Sequence, residues 1–283
     1  MKKYILFAAC LAAALLASSC GKSQYKYSVF DTCLGPQYAS NVESLDKAKS
    51  LGFDGVQLSR WYKPGGVFMD ADLIAKYKAK KAQTGMETPS LVVPNLPFID
   101  NPDCVRFMKS AIDAAAELNA KTILVAFFGK LKLSDENKKL IEAKFEPLVA
   151  SLKQIMPYAE QKGVLVCMEN TLSADENNRV IDAVGSQNLK VYFDVFNIVY
   201  YGHEEISSIE KLKGRIGEIH LKDKGHKLGS SGEMPKDFKA CIAAIKRIGY
   251  KGWLCMELHA FKYKESSPDE TLKYNLKYAK ENF

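Results

Sequence analysis

Four side chains able to hold a cation or move a proton stand near the carboxyl ends of four successive apolar runs. The runs are residues 164–169, 191–196, 216–221 and 253–258, and the side chains are Glu169, Asp194, His220 and Glu257. They are separated by 25, 26 and 37 residues, in each case about one strand plus one helix. An ionised carboxylate inside an apolar strand is costly unless something compensates its lost hydration. One such residue could be an outward-facing accident. Four at matching places require a shared partner, and a single cation is the economical one. Three carboxylates and an imidazole form a mostly hard, oxygen-rich donor set, which favours Mn²⁺ or Mg²⁺ and admits Co²⁺, Zn²⁺ or Fe²⁺. The competing explanation is a salt-bridge network with nearby Lys and Arg at a rim, which has no need of His220.

Other residues lie where a substrate would meet such a site. Lys222 follows His220 by two and so shares its side of the strand. It either orients substrate oxygens or forms a rim salt bridge with Asp223 or Glu218. Glu218 faces the same way, one layer deeper. His226 sits in a loop with Gly225, Gly229 and Gly232, read here as a lid or sugar contact rather than a phosphate cradle. His259 follows Glu257 by two. Trp61 lies in Arg60-Trp61-Tyr62-Lys63-Pro64-Gly65-Gly66, where an aromatic ring either stacks on a sugar or anchors the loop.

The elements that carry these residues repeat. Eight apolar runs, at 27–32, 55–59, 89–93, 122–128, 164–169, 191–196, 216–221 and 253–258, alternate with longer amphipathic stretches. The runs are continuous rather than alternating, as in parallel strands covered on both faces. Ser40-Asn41-Val42-Glu43 reads as a capping box opening the first helix. Asn101-Pro102 and Ser267-Pro268-Asp269-Glu270 open two others. Gly52, Gly85, Gly163 and Gly249 close helices. The stretch 134–162, interrupted by Pro147 and Pro157, reads as two helices or one kinked helix. Eight strand–helix units predict an α/β fold, a single (β/α)₈ TIM barrel over residues 27–283. An open doubly wound sheet is the alternative, but no Gly-rich dinucleotide fingerprint follows the first strand.

Ahead of the barrel, Met1-Lys2-Lys3 and an uncharged run of 14 residues from Tyr4 to Ala17 form an export signal. The run is too short to span a bilayer, which takes about 20 residues. Ala17-Ser18-Ser19-Cys20 resembles a bacterial lipobox, with Leu16 one residue further back than usual. Residues 1–19 are thus expected to be a lipoprotein signal peptide, Cys20 the lipidated residue, and 20–26 a tether. The product would be an exported lipoprotein, periplasmic or at the cell surface, touching membrane through its anchor alone. Beyond Cys10 and Cys20, five Cys remain with no CxxC spacing, so a disulfide framework or zinc knuckle is not expected. Cys167 and Cys255 lie in apolar runs and read as small buried side chains. The net charge of +7 falls to +5 without Lys2 and Lys3, with no block of five like charges, so composition makes no case for a nucleic-acid partner.

The chain resembles the sugar phosphate isomerase/epimerase family of the xylose-isomerase-like barrels. The resemblance is carried by Leu51-Gly52-Phe53-Asp54-Gly55-Val56, Met168-Glu169-Asn170, Phe193-Asp194-Val195-Phe196-Asn197, Ile219-His220-Leu221-Lys222-Asp223 and Met256-Glu257-Leu258. It implies that Glu169, Asp194, His220 and Glu257 bind one divalent metal, and that Glu169 and Glu257 are the acid/base pair. A metal chelating a carbonyl and its neighbouring hydroxyl would acidify the α-proton. One Glu would remove it to give a cis-enediolate, and its return to the adjacent carbon or the opposite face would isomerise or epimerise the sugar. Export argues for an unphosphorylated sugar or keto-sugar. The chain departs from the family's ketose 3-epimerases in having Asn197 where they carry His, and Lys222 and His226 in a loop where they use Arg. It has Gln57 where many relatives have Glu. A keto-sugar or inosose dehydratase or lyase would use the same site. A non-catalytic glycan-binding lipoprotein would need mouth aromatics but no metal. An apurinic-endonuclease-like enzyme would need three zinc ions and more His than the four present.

Overall fold

Each apolar run becomes a strand, and the eight strands close on themselves. The computed structural model describes residues 25–94, 96, 102–258 and 268–283. The signal segment, Cys20, Asn101, His259 and Ser267 lie outside the described residues. The strands are β1 (Tyr27–Phe30), β2 (Gly55–Ser59), β3 (Ser90–Val93), β4 (Thr122–Ala126), β5 (Leu165–Glu169), β6 (Leu189–Asp194), β7 (Ile216–Leu221) and β8 (Leu254–Met256). All neighbouring pairs are parallel, and β8 pairs back onto β1 with Tyr27 opposite Leu254, so the barrel has no free edge. The (β/α)₈ expectation therefore holds, and the open sheet is excluded.

The helices are α1 (Ser44–Leu51), α2 (Ala71–Thr84), α3 (Pro102–Leu118), α4 (Glu142–Lys162), α5 (Ala174–Val184), α6 (Val195–Tyr200), α7 (Glu205–Lys211), α8 (Phe238–Arg247) and α9 (Pro268–Asn282). A large core joins the outward faces of the strands to the helices, with Val29, Val56, Leu91, Ile123, Val166 and Ile219 all buried. A smaller cluster of Val92, Leu124, Ala126, Cys167 and Tyr192 fills the barrel interior. Strand alternation separates the two sets. Among the described residues no helix is long and apolar enough to cross a membrane.

Two local expectations are corrected, at Ser40 and at the tether. Ser40 does not open α1, which starts at Ser44 with no side-chain cap. Ser40 instead has a left-handed φ of 55°, and its N–H and hydroxyl are donated to Asp31 and to the Ser59 carbonyl, tying this loop to the barrel. A complete capping box, unread in the sequence, lies at Ser173 and Glu176 ahead of α5. Of the two readings of 134–162 the single helix holds, α4 running 21 residues from Glu142 through Pro147 and Pro157. Its apolar stripe of Leu148, Leu152, Ile155, Met156 and Ala159 is buried, and that packing offsets the backbone bonds the prolines cannot donate. The expected tether also ends early, because Tyr25 is buried edge-on against Phe283.

Candidate metal centre at the barrel mouth

Strand ends set the site. Glu169 is the last residue of β5 and Asp194 the last of β6. Asp194 also caps α6: its Oδ1 accepts the N–H groups of Phe196 at 2.7 Å and Asn197 at 2.9 Å. That fixes the carboxylate and leaves Oδ2 free to face inward. In β7 the pairing shifts, since Val191 lies opposite Ile216 but Tyr192 opposite Glu218. Gly217 is the extra residue of this bulge, and beyond it Glu218, His220 and Lys222 point into the barrel. Glu257 follows β8 directly, its N–H bonded to the Leu221 carbonyl.

Four atoms converge. One ligand atom from each of Glu169, Asp194, His220 and Glu257 lies within 4.8 Å of all the others. His220 Nδ1 is 2.9 Å from Glu257 Oε2, 3.6 Å from Glu169 Oε1 and 3.9 Å from Asp194 Oδ2. Two of these atoms, Asp194 Oδ2 and His220 Nδ1, are buried and make no hydrogen bond. Each faces a charged neighbour, Nδ1 facing Glu257 Oε2 and Oδ2 facing Lys222 Nζ at 3.5 Å, but neither contact is aligned as a hydrogen bond, and both atoms are aimed at the point where the four groups meet. The donor set fits a single divalent cation, and the four expected ligands are the four that meet.

Lys222 joins the cluster rather than the rim. Its Nζ lies 3.0 Å from Glu257 Oε1 and 3.5 Å from Asp194 Oδ2, over the ring of Phe196. Neither Asp223 nor Glu218 is its partner. Asp223 accepts the N–H groups of Gly225 and Gly229, and Glu218 is engaged deeper in the barrel. Burial raises the Asp194 carboxyl to about 7, against the pull of Lys222. Burial acts the same way on Glu257, but Lys222 and His220 outweigh it and hold this carboxyl well below the usual range. Burial disfavours charge on Lys222 and on His220. Glu257, with Asp194 and Glu169 for Lys222, reverses that and keeps both cations well above their ordinary values.

Beneath the ligands runs a polar chain that sequence reading missed. His220 Nε2 meets Gln57 Oε1 at 2.8 Å. Gln57 Nε2 donates to Ser90 Oγ at 3.0 Å and Tyr192 OH at 2.8 Å. Both hydroxyls donate to Glu218 Oε1, at 2.8 and 2.9 Å. Burial raises Glu218 to about 7, while the bonds from Ser90 and Tyr192 oppose the rise. The available signal was polar residues in strands otherwise apolar, at Gln57, Ser90 and Glu218.

Above the ligands opens a cavity of about 530 Å³. Its floor is Glu169, His220, Lys222 and Glu257, and Phe30, Val92, Leu124 and Ala126 form one wall. Trp61 and Tyr200 stand at its rim, 59% and 57% exposed, beside a stacked pair of Phe128 and Tyr201. Asn197 lines it too and donates to Glu169 Oε1 at 2.8 Å. His226 is not among the lining residues. Its loop is held down by Asp223 and by Asn275, which accepts the Leu228 N–H and donates to the His226 carbonyl. All five described cysteines are buried thiols outside any disulfide, Cys167 and Cys255 among them as expected.

Among the described residues, then, eight parallel strands close into a barrel that carries a clustered acid–imidazole group at its carboxyl end. Residues 45–282 match the family model described as xylose isomerase-like TIM barrel, and the chain belongs to that family. It is 25% identical over 190 residues to 2-epi-5-epi-valiolone 7-phosphate 2-epimerase from Actinoplanes sp., covering 65% of this chain and 68% of that one. It is 21% identical over 181 residues to inosose dehydratase from Geobacillus thermodenitrificans, covering 53% and 61%. Its fold matches a solved L-ribulose 3-epimerase with a TM-score of 0.74 and 18% identity, over 90% and 93% of the two chains.

Proposed function

We propose that this chain is a divalent-metal-dependent sugar isomerase or epimerase acting through a cis-enediolate. The observation that carries this reading is the convergence of Glu169, Asp194, His220 and Glu257, with two buried atoms unsatisfied. One divalent ion held by these four would supply Lewis-acid polarisation of the substrate carbonyl. The chain's own groups do the rest. Glu257, held ionised beside the Lys222 ammonium, accepts the α-proton. Glu169, steadied by Asn197, stands three strands away around the barrel and exchanges a proton at the second position. Lys222 directs its N–H donors toward the floor of the cavity, where negative charge develops on the enediolate.

The mouth favours a substrate without phosphate. Among the described residues lining the cavity Lys222 is the one Lys or Arg, and two carboxylates already engage it. Exposed Trp61 and Tyr200 offer flat apolar faces to a sugar ring. Manganese or magnesium suits the donor set best. The likeness to an inosose dehydratase supports a second reading, in which the same proton removal is followed by loss of a β-hydroxyl. The export signal expected over residues 1–19, ahead of a lipidated Cys20, supports an activity outside the cytoplasm.

Metal analysis of the purified chain, then solvent exchange of α-protons in D₂O across unphosphorylated keto-sugars, tests the proposal. About one ion per chain and label in recovered sugar are expected; label with loss of water would select the dehydratase. Glu257→Gln should abolish exchange while the fold persists, and undiminished exchange in that variant would overturn the mechanism.

A further inference from the structure

The chain from His220 to Glu218 has a direction, and Glu218 sets it. Gln57, Ser90, Tyr192, Glu218 and His220 are each at most 1% exposed, so no water competes for their bonds. A hydroxyl owns one proton. Ser90 and Tyr192 both lie within 2.9 Å of Glu218 Oε1, an oxygen with no proton to share with two of them. Each therefore spends its proton on Glu218 and turns a lone pair toward Gln57. Gln57 must answer with its NH₂, which makes both bonds, and its carbonyl oxygen is left facing His220. Cys255 Sγ, 3.6 Å from the same oxygen, agrees with its acting as acceptor. The ring nitrogen against that oxygen must carry hydrogen, so Nε2 is an N–H in either charge state, and in the neutral ring Nδ1 is the nitrogen that offers its lone pair to the cluster.

We infer that Glu218 is a positioning residue, acting through Ser90, Tyr192 and Gln57 to fix the tautomer of His220 in which Nδ1 is the cation ligand. The inference rests on the reading that the four converging residues hold a metal. It does not depend on the charge of Glu218, because Oε1 accepts from two hydroxyls whether or not the other oxygen is protonated. Without Glu218 the hydroxyls are free to donate to Gln57. The amide then turns over, its NH₂ faces the imidazole, and the ring takes the other tautomer, with a proton on the atom meant for the ion.

The test combines metal titration with ¹⁵N NMR of the histidine rings, in the full chain with and without Zn²⁺ as a diamagnetic probe. In the unaltered protein, His220 should keep a slowly exchanging Nε2–H with and without the ion. Glu218→Leu should lose that signal and bind Zn²⁺ roughly 10–100-fold more weakly. Glu218→Gln, whose amide oxygen still accepts from both hydroxyls, should restore most of both. If Glu218→Leu fails to fold, Glu218→Met, closer in length and without a carboxylate to accept from the two hydroxyls, takes its place and should give the same loss. A folded variant of either kind with an unchanged Nε2–H and affinity within twofold would overturn the inference. If the unaltered chain bound no divalent ion, the proposed function would fall, while ion-free ring spectra recorded at a pH that neutralises His220 would still decide the direction of the chain.

Discussion

Lys222 shares its charge between two carboxylates that would also serve a cation, so its removal separates holding an ion from using it. It touches Glu257 Oε1, whereas Nδ1 of His220 approaches Oε2. Lys222→Met should leave about one ion per chain and lower the exchange rate on the order of 100-fold, the usual cost of losing one donor to developing negative charge. Metal analysis alongside single-turnover exchange checks both halves. Asp31, away from the ligands, reports on burial itself. Its carboxylate accepts from Ser40 N–H, Ser59 N–H and Ser59 Oγ, and burial nonetheless raises it from 3.8 to about 6. A raised carboxyl binds its proton more tightly in the folded state, so stability falls as pH rises from about 4 to about 6 and is level above. Asp31→Asn can keep the same geometry without titrating. The two proteins should diverge by up to about 3 kcal/mol across that window, the variant gaining as pH rises. Denaturant midpoints at pH 4 and 7 measure this, and parallel pH dependence would refute it.

The β7 bulge aims three side chains at once, and its glycine is tightly placed. A Cβ on Gly217 would stand 2.3 Å from Cys167 Sγ and 3.3 Å from Lys190 Cβ. Gly217→Ala should cost about 1–3 kcal/mol by overpacking, and Cys167→Ala in the same chain should recover part of it; a fully stable single variant would count against the tight fit. The ligands were legible before any coordinates because each interrupts an apolar run at its end. Strand β2 and strand β7 were read to the residue for a related reason, having abrupt polar or glycine borders. Strand β6 was read two residues late, since Val195 and Phe196 continue its apolar character into α6. Composition cannot see that the Asp194 carboxylate has already turned the chain. The Ser40 cap failed because Asp31 and Ser59, distant in sequence, claim that serine. Gln57 went unassigned because its partners come from β3, β6 and β7, and only closure of the barrel brings them together. His226 looked available by its glycine-rich surroundings, but α9 fastens its loop through Asn275.

For the molecule as a whole, an ion bound to the folded barrel and absent from the unfolded chain must stabilise it by mass action. At 100 times its dissociation constant the gain is about 2.7 kcal/mol, which for a chain of this length raises the melting temperature by roughly 5–10 °C. Calorimetry with added Mn²⁺ or Mg²⁺, against a chelator control, should show the rise, and Asp194→Asn should lose most of it. An unmoved melting temperature at saturating ion would argue against the shared-cation reading.

All four candidate ligands stand on β5 to β8, whereas Phe30, Trp61, Val92, Leu124, Ala126 and Phe128, from the first four strand–helix units, build the opposite wall. The candidate ligands therefore come from one stretch of gene, while the cavity wall draws on both, with Phe196, Asn197 and Tyr200 joining it from the second half. A library of variants, or a chimera with another barrel, confined to the first half could redraw part of what enters while leaving the four candidate ligands intact. Two passengers must travel unchanged across that seam, Gln57 and Ser90, because the second half depends on them from below.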